Sequence, residues 1–116
     1  MEDNFELKVI IVEGKTDKER LLEILDEPVD IICTYGTLGY EELERLLAEL
    51  QDREVYVLTD ADDAGNKMRK LINREFPHVR HLYTRKMYRE VATSPKEYLA
   101  EMLEKANFLV KEVQPE

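Results

Sequence analysis

The sequence predicts an α/β fold, specifically a three-layer sandwich built on a four-stranded parallel sheet. Residues 9–12 and 55–58 form nearly continuous apolar runs, which are typical of strands that are buried on both faces. The segments between and after these runs carry apolar residues at helical spacing. Strands and helices therefore alternate along the chain, and this alternation places helices on both faces of a parallel sheet.

The first half of the chain predicts two strands and two helices. Residues 7–12 form the first strand, and Thr16 with Glu19 three residues later predicts a capping box that opens a helix. The second strand covers 29–33. The second helix has the clearest pattern, because its apolar residues follow the i, i+3, i+4, i+7 spacing, at Leu43, Leu46, Leu47 and Leu50.

The second half repeats the alternation. The third strand covers 54–59, and a helix follows over about 64–75. Residues 79–83 predict a more polar fourth strand near an edge of the sheet. Ser94, followed by proline, predicts the N-cap of the fourth helix. The pattern at 108–113 fits either a short strand or an extended tail.

Size and composition predict one soluble domain. The 116 residues, numbered 1–116, are expected to form a single domain with one core; 43% are hydrophobic and 37% are charged, which is typical of a globular protein. No run of 18 apolar residues predicts a membrane span, and the first residues are acidic where a signal peptide would be basic. A cytoplasmic location is expected. Because Cys33 is the only cysteine, an internal disulfide is excluded.

The charge is divided unevenly along the chain. The formal net charge is -9, but residues 66–90 contain eight lysines and arginines against two acids. The net charge argues against a protein that coats nucleic acid generally, whereas the basic segment could contact phosphates locally. A solvated surface is the other interpretation of such a charge run.

Acidic residues follow two of the predicted strands. Glu13 stands at the tip of the first strand, and Asp60 and Asp62 follow the third. With the strand order 2-1-3-4, the carboxyl ends of these strands are neighbours at the edge where open α/β sheets bind ligands. Gathered carboxylates repel one another until a cation neutralises them. Mg²⁺ fits best because it takes oxygen ligands and keeps several waters; Mn²⁺ is the alternative ion.

Three other interpretations of the acidic residues compete with a metal site. An acidic surface turn is common, but it does not explain the glutamate at the tip of the other strand. A calcium-binding loop is excluded on spacing, because Ala64 and Leu71 stand where ligands are required. A phospho-accepting receiver domain shares the topology, but it requires a lysine after a fifth strand, for which the sequence has no clear candidate.

The two acidic stretches resemble a known pair of motifs. Residues 12–17, Val-Glu-Gly-Lys-Thr-Asp, and residues 60–65, Asp-Ala-Asp-Asp-Ala-Gly, are similar to the signature motifs of the Toprim family of topoisomerases, primases and nucleases. The resemblance is closest to the small stand-alone Toprim proteins and to the Toprim part of the nuclease that matures 5S ribosomal RNA. It implies a parallel four-stranded sheet, Glu13 as general acid or base, and Asp60 and Asp62 as magnesium ligands.

The resemblance extends to neighbouring residues. Asp17 matches an acid of the nuclease-like branch and is predicted as a further metal ligand, while Gly14 and Gly65 are predicted turn residues. Lys15, to which the resemblance assigns no role, is counted among the predicted nucleic-acid contacts. The others are Arg85, Lys86 and Arg89, which follow the fourth strand.

The function expected from these features is magnesium-dependent phosphoryl transfer on nucleic acid, with RNA favoured over DNA and a nuclease on structured RNA as the main hypothesis. The alternative is a non-catalytic Toprim adaptor that binds RNA or a protein partner. The cleavage, zinc-ribbon and helicase regions of larger Toprim proteins do not fit in 116 residues. The sequence therefore leaves the substrate and the oligomeric state open.

Overall fold

A four-stranded parallel sheet forms the centre of the protein. The computed structural model describes residues 7–34, 39–84 and 89–112. The strands are β1 (Lys8–Val12), β2 (Val29–Cys33), β3 (Val55–Leu58) and β4 (Arg80–Leu82). Their order across the sheet is β2-β1-β3-β4, and each neighbouring pair is parallel. The predicted α/β class and the predicted strand order are confirmed.

Helices cover both faces of the sheet. They are α1 (Lys15–Leu22), α2 (Tyr40–Glu49), α3 (Asp63–Glu75) and α4 (Lys96–Lys105). Leu21 of α1 and Leu99 of α4 belong to one apolar cluster, whereas Leu47 of α2 and Ile72 of α3 belong to the other. The arrangement is therefore the predicted three-layer sandwich. Within the described residues, no helix is long and apolar enough to cross a membrane.

The central strands explain the continuous apolar runs of the sequence. Successive side chains of a strand point to opposite faces, so Ile10 and Val12 join the cluster with α1 and α4, while Val9 and Ile11 join the cluster with α2 and α3. All four residues are 0% exposed. Because both faces of β1 are covered, its sequence shows no alternation of polar and apolar residues.

The predicted caps of two helices are wrong. Helix α1 has Gly14 as its N-cap, and Asp17, rather than Glu19, accepts a backbone hydrogen bond there, from Gly14 N at 3.0 Å. The cap residue and the acid three residues after it are thus at 14 and 17, two residues earlier than the predicted 16 and 19. At α4 the N-cap is Pro95, and the Ser94 hydroxyl donates to the Glu90 carbonyl at 2.8 Å instead of capping the helix.

Two other segments differ from or complete the sequence prediction. Strand β4 has three residues, fewer than the predicted five, because Val79 N bonds Phe76 O at 3.0 Å in the turn that ends α3. Near the C-terminus, Val110 forms an isolated antiparallel bridge with Leu25. The described residues 108–112 are thus an extended segment that packs beside residues 24–26, after α1, and they add no strand to the central sheet.

Candidate active site

Glu13 and Asp60 meet at the carboxyl edge of the sheet. Glu13 follows β1 directly, and Asp60 lies two residues beyond the end of β3. Because β1 and β3 are adjacent and parallel, the two residues emerge side by side. The backbone N–H of Asp60 donates a hydrogen bond to Glu13 Oε1 at 2.9 Å. The two tips are thus joined directly, and the predicted juxtaposition of Glu13 and Asp60 is confirmed.

A distant segment orients the Asp60 side chain. The backbone N–H of Val91 donates to Asp60 Oδ1 at 2.8 Å, and the N–H of Ala61 donates to the carbonyl of Arg89 at 2.7 Å. Residues 89–91 therefore lie against the turn after β3. One oxygen of Asp60 is held by the backbone, which fixes the direction of the other.

Asp62 begins helix α3. Its Oδ1 accepts a hydrogen bond from Gly65 N at 2.7 Å, so Asp62 is the N-cap. An aspartate at this position satisfies one unpaired N–H of the first turn and interacts favourably with the helix dipole. Asp62 thus has a structural role in addition to the metal-binding role predicted for it.

Gly65 allows the close approach of α3 to the end of β3. A Cβ atom at this position would overlap the carbonyl oxygen of Asp60 and would lie 2.9 Å from Thr59 Oγ1. Gly14 is less constrained, since its φ is -134° and an added Cβ would lie 3.7 Å from Asp17 Oδ2. Of the two predicted turn glycines, only Gly65 is required by steric contact.

Asp17 lies on the first turn of α1 beside the two strand tips. It is only 8% exposed, and Gly14 N donates to its Oδ2 at 3.0 Å. The charges of Asp17, Asp60 and Asp62 all act on Glu13, so the structure places the four predicted acids in one region. We call these four residues, Glu13, Asp17, Asp60 and Asp62, the acid cluster. Its members come from β1, α1 and the turn between β3 and α3.

The members of the acid cluster repel one another. Burial raises the pKa of Glu13, and the charges of Asp60, Asp62 and Asp17 raise it further, although the hydrogen bond from Asp60 N acts in the opposite direction. Burial also raises the pKa of Asp17, with added contributions from the charges of Asp60 and Glu90. Bringing these carboxylates together thus costs free energy when they are ionised.

Glu90 is an acid that the sequence analysis did not assign to the site. It lies in the segment that contacts the turn after β3, and its charge acts on Asp17. In the sequence it is one of two acids in the basic stretch 66–90. No local motif marks it, because its position depends on the contact between residues 89–91 and the turn after β3.

The donor atoms of the acid cluster fit a hard divalent cation. They are carboxylate oxygens, the ligands that Mg²⁺ prefers, and their mutual repulsion would be relieved by a positive ion. Among the residues that the structure describes, no three His, Cys, Asp or Glu side chains converge as a preformed metal-binding group. Mg²⁺ does not require one, since it is usually held by one or two carboxylates together with water.

Basic residues surround the acid cluster unevenly. Lys15 is exposed on the first turn of α1, and Arg89 is exposed in the segment that contacts Asp60. Lys67 of α3 and Glu13 both line a cavity of about 240 Å³, a proximity that the sequence analysis did not identify. Arg85 and Lys86 lie outside the described residues. Lys15, Lys67 and Arg89 are therefore described cations that lie near the site.

Comparisons with known proteins agree with the fold and with the two motifs. Residues 8–93 match the family model described as the Toprim domain. The chain belongs to the Toprim family. It is 48% identical over 103 residues to the uncharacterized protein YusF of Bacillus subtilis (strain 168), covering 89% of this chain and 70% of that protein. The predicted family is thus confirmed.

A solved structure and a further relative extend the comparison. The Toprim fold here superposes with a TM-score of 0.88 on a small TOPRIM domain protein from Bacillus stearothermophilus, with 48% sequence identity and coverage of 91% and 90% of the two chains. Ribonuclease M5 1 of Ligilactobacillus salivarius (strain UCC118) is 36% identical over 80 residues. These residues are 68% of this chain but only 42% of that ribonuclease.

Proposed function

We propose that this Toprim domain catalyses magnesium-dependent cleavage of phosphodiester bonds in nucleic acid, with structured RNA as the preferred substrate. The observation that carries the proposal is the direct link between the two strand tips, where Asp60 N donates to Glu13 Oε1 at 2.9 Å. This bond holds a proton-exchanging carboxylate beside a candidate metal ligand. Phosphoryl transfer requires both groups at one position.

Each member of the acid cluster can be given a role. Asp60 and Asp62 would hold Mg²⁺, each with one oxygen already fixed by a backbone N–H and the other directed elsewhere. The bound ion would stabilise negative charge on the phosphate oxygens. Asp17, whose charge acts on Glu13 and which is itself affected by the charge of Asp60, would add negative charge that strengthens the attraction for the ion.

Glu13 is suited to proton exchange. Burial and the neighbouring carboxylates raise its pKa, which brings it closer to neutral pH, where a general acid or base is most effective. It would exchange a proton with the attacking or the leaving oxygen of the phosphodiester. Lys67 and Arg89 would hold flanking phosphates by charge, and the same role is proposed for Lys15, Arg85 and Lys86.

The preference for RNA rests on the relatives. The Ligilactobacillus protein is named as a ribonuclease, and the matched residues span 68% of this chain. Because they cover only 42% of that ribonuclease, the similarity supports shared chemistry more directly than a shared substrate. The class of substrate is therefore the first property to test.

One observation favours a second function, that of a non-catalytic adaptor. The Oδ1 atoms of Asp60 and Asp62 each accept a backbone hydrogen bond that organises the turn after β3. Both aspartates would be useful to the fold without any catalysis. In that case the domain would bind RNA or a protein partner through its basic residues, and it would cleave nothing.

The proposal is tested with purified protein and a panel of structured RNAs and DNAs in Mg²⁺, in Mn²⁺ and in a chelator. We expect products with RNA in either metal, no products in the chelator, and weaker activity or none with DNA. The Glu13→Gln variant should yield no products above background. Glu19→Gln is the matched control, because Glu19 is an exposed residue of α1 and its change removes the same charge.

The outcome separates the two functions. Products that depend on metal and on Glu13 select the nuclease. Binding of RNA without cleavage in either metal, by a protein whose melting temperature responds to Mg²⁺, would select the adaptor. Cleavage that persists in Glu13→Gln would indicate a contaminating enzyme and would remove the support for the nuclease.

A further inference from the structure

Tyr83 is an exposed aromatic residue at the edge of the sheet that carries the acid cluster. It follows β4 directly, and because β4 is parallel to β3 its carboxyl end lies at that same edge. The residue is 64% exposed. Exposure alone assigns no role to it, since single exposed apolar residues are common.

The groups beneath the Tyr83 ring are rigid. The Arg69 guanidinium lies 4.3 Å from the ring centroid, a cation–π distance. Arg69 is itself only 8% exposed, and it donates to the carbonyls of Val57 and Leu82 and contacts His81 Nδ1 at 3.0 Å. The His81 ring stacks with Tyr83 at 6.0 Å and 21°. These contacts fix the plane of the ring.

Tyr83 is also among the residues that line a cavity between β4 and α4. The cavity has a volume of about 350 Å³, within the range of roughly 300 to 1,000 Å³ that is usual for small-molecule sites. Its walls are rich in aromatic and polarizable side chains, which include His81, Tyr83, Tyr98 and Met102. A flat ligand group therefore has room next to Tyr83.

The position of the Tyr83 ring indicates what could stack on it. Arg69 is close enough to Glu13 for the carboxylate charge to act on the guanidinium, so the ring lies near the acid cluster. A nucleic acid strand whose phosphate lies at the cluster would carry its bases past this corner of the molecule. Bases stack on aromatic side chains without regard to sequence, because every base has a flat π face.

We propose that Tyr83 is a stacking platform for an unpaired base of the nucleic acid ligand, with Arg69 and His81 holding its ring in place. The proposal rests on the proposed function, because it assumes that nucleic acid binds at the acid cluster. It adds that the ligand presents a single-stranded nucleotide there. The structural alternative is that Tyr83 only shields the buried Arg69 from water.

The sequence permits a direct measurement of stacking. The chain contains no tryptophan, so Tyr83→Trp introduces a single fluorophore at the proposed platform. In a Glu13→Gln background with Mg²⁺, which prevents cleavage, a single-stranded oligoribonucleotide should quench this fluorescence. An abasic oligomer of the same length should not quench it.

Tyr40→Trp provides the matched control. Tyr40 is 46% exposed, and an arginine, Arg74, lies 5.6 Å from its ring centroid. It also bonds Glu75, in the last turn of α3. The α-helical rise places that turn about 18 Å along the helix from Asp62. Binding of the oligoribonucleotide should leave the fluorescence of this variant unchanged.

Affinity measurements separate stacking from shielding. Tyr83→Ala should weaken binding of the base-containing oligomer about 5- to 150-fold and should leave binding of the abasic oligomer unchanged. Tyr83→Phe should keep the affinity, because it retains the ring. Tyr83→Leu covers Arg69 without a π face, so it should behave as Tyr83→Ala does. Thermal melts of each variant check that the fold is retained.

Two results would overturn the proposal, and they differ in what they mean for the proposed function. If the wild type binds the oligomer while Tyr83→Ala and Tyr83→Leu bind equally well and Tyr83→Trp is not quenched, stacking is refuted but nucleic-acid binding stands. If the wild type binds no oligomer in any metal, both proposals fail together.

Discussion

The two ends of the parallel strands, the amino edge and the carboxyl edge of the sheet, differ in whether their acidic residues are paired with basic residues. At the amino edge, Lys8 pairs with Glu27 at 3.6 Å, and Arg53 pairs with Asp30 at 3.4 Å and donates to the Leu7 carbonyl at 3.0 Å. At the carboxyl edge, none of the lysines and arginines that the structure describes forms an ion pair with a member of the acid cluster.

This contrast separates charges that serve the fold from charges that serve a ligand. Glu27 and Asp30 each have a cation in the chain, so their ionisation costs the fold little. In the acid cluster, burial and the neighbouring charges raise the pKa of Glu13 and of Asp17, which is destabilising at neutral pH. A fold that retains such an arrangement is suited to bind a cation from solution, and strained or repulsive groups of this kind concentrate at functional sites.

The largest expected effect comes from making the same substitution at the two edges. Glu13→Gln should lower the cleavage rate roughly 100- to 10,000-fold, because it removes a proton-transfer step while its amide oxygen can still accept the bond from Asp60 N. Glu27→Gln at the amino edge should leave the rate of the folded protein unchanged. Rates are measured on a cleaved RNA at saturating Mg²⁺. Equal losses in both variants would remove the functional distinction between the edges.

The acid cluster could be predicted in large part from the sequence. The apolar runs that precede Glu13, Asp60 and Asp62 are rich in residues that favour strands. In a parallel sheet, strands formed by such runs end at the same edge. Asp17 came from the family resemblance, and the structure places it beside the strand tips. These residues were predictable because their positions depend on local pattern and on strand order alone.

The remaining features depend on contacts between distant segments. Glu90 reaches the site because residues 89–91 bond the turn after β3, and Tyr83 is oriented by Arg69 from another element. In the sequence, Arg69 was counted with the exposed charges of the basic stretch, whereas it is 8% exposed. The cap of α1 was misplaced because Thr16 has a preferred N-cap side chain, whereas the helix begins after Gly14 and Asp17 is the acid three residues beyond the cap.

The second prediction concerns the response of stability to metal. Mg²⁺ at about 100 times its dissociation constant should stabilise the native state by roughly 2.7 kcal/mol, because it binds the folded protein alone. The thermal midpoint is measured with and without the ion. The response should disappear in a variant that carries both Asp60→Asn and Asp62→Asn, and it should persist in Asp30→Asn at the amino edge. A wild-type midpoint that does not move in millimolar Mg²⁺ would contradict the metal site.

The single change Asp62→Asn sharpens this test in the absence of metal. Asparagine caps helices about as well as aspartate, so the bond from Gly65 N should be retained while one repelling charge is removed. The variant should be as stable as the wild type or more stable in a chelator, and it should gain less from Mg²⁺. Asp62→Ala loses the cap as well, and it should be less stable than Asp62→Asn by about 1 kcal/mol. Equal stability of the two variants would exclude the capping role.

The third prediction addresses the packing beneath the acid cluster. Gly65→Ala should destabilise the protein by about 1 to 3 kcal/mol, since the added methyl group overlaps the Asp60 carbonyl and backbone atoms must move to accept it. Gly14→Ala should cost less, because its Cβ would meet only an ordinary contact at 3.7 Å. Urea unfolding of both variants measures the difference. A Gly65→Ala variant as stable as the wild type would show that α3 can shift freely away from β3.

The fourth prediction is a pH dependence that is opposite to that of a salt-bridged acid. Because burial raises the pKa of Glu13 above its ordinary value of 4.5, the native state binds a proton more readily than the unfolded chain does. The contribution of Glu13 to stability is therefore complete below about pH 4.5 and is lost as the pH rises through the raised pKa. In a chelator, the stability of Glu13→Gln relative to the wild type should increase from pH 4 to pH 7. A difference that stays constant with pH would contradict the repulsion.

The smallest expected effect concerns the basic residues beside the acid cluster. Arg89 is exposed, and its carbonyl, not its side chain, bonds the turn after β3, so Arg89→Ala should leave the site intact. If the guanidinium contacts a phosphate, the variant should bind RNA more weakly whatever the sequence, and the slope of log affinity against log salt should fall by about one unit. Arg45→Ala on the exposed face of α2 is the matched control and should change neither quantity. Equal salt slopes for the wild type and both variants would mean that Arg89 is a solvated surface charge, and nucleic-acid binding would then have to depend on the other cations near the acid cluster.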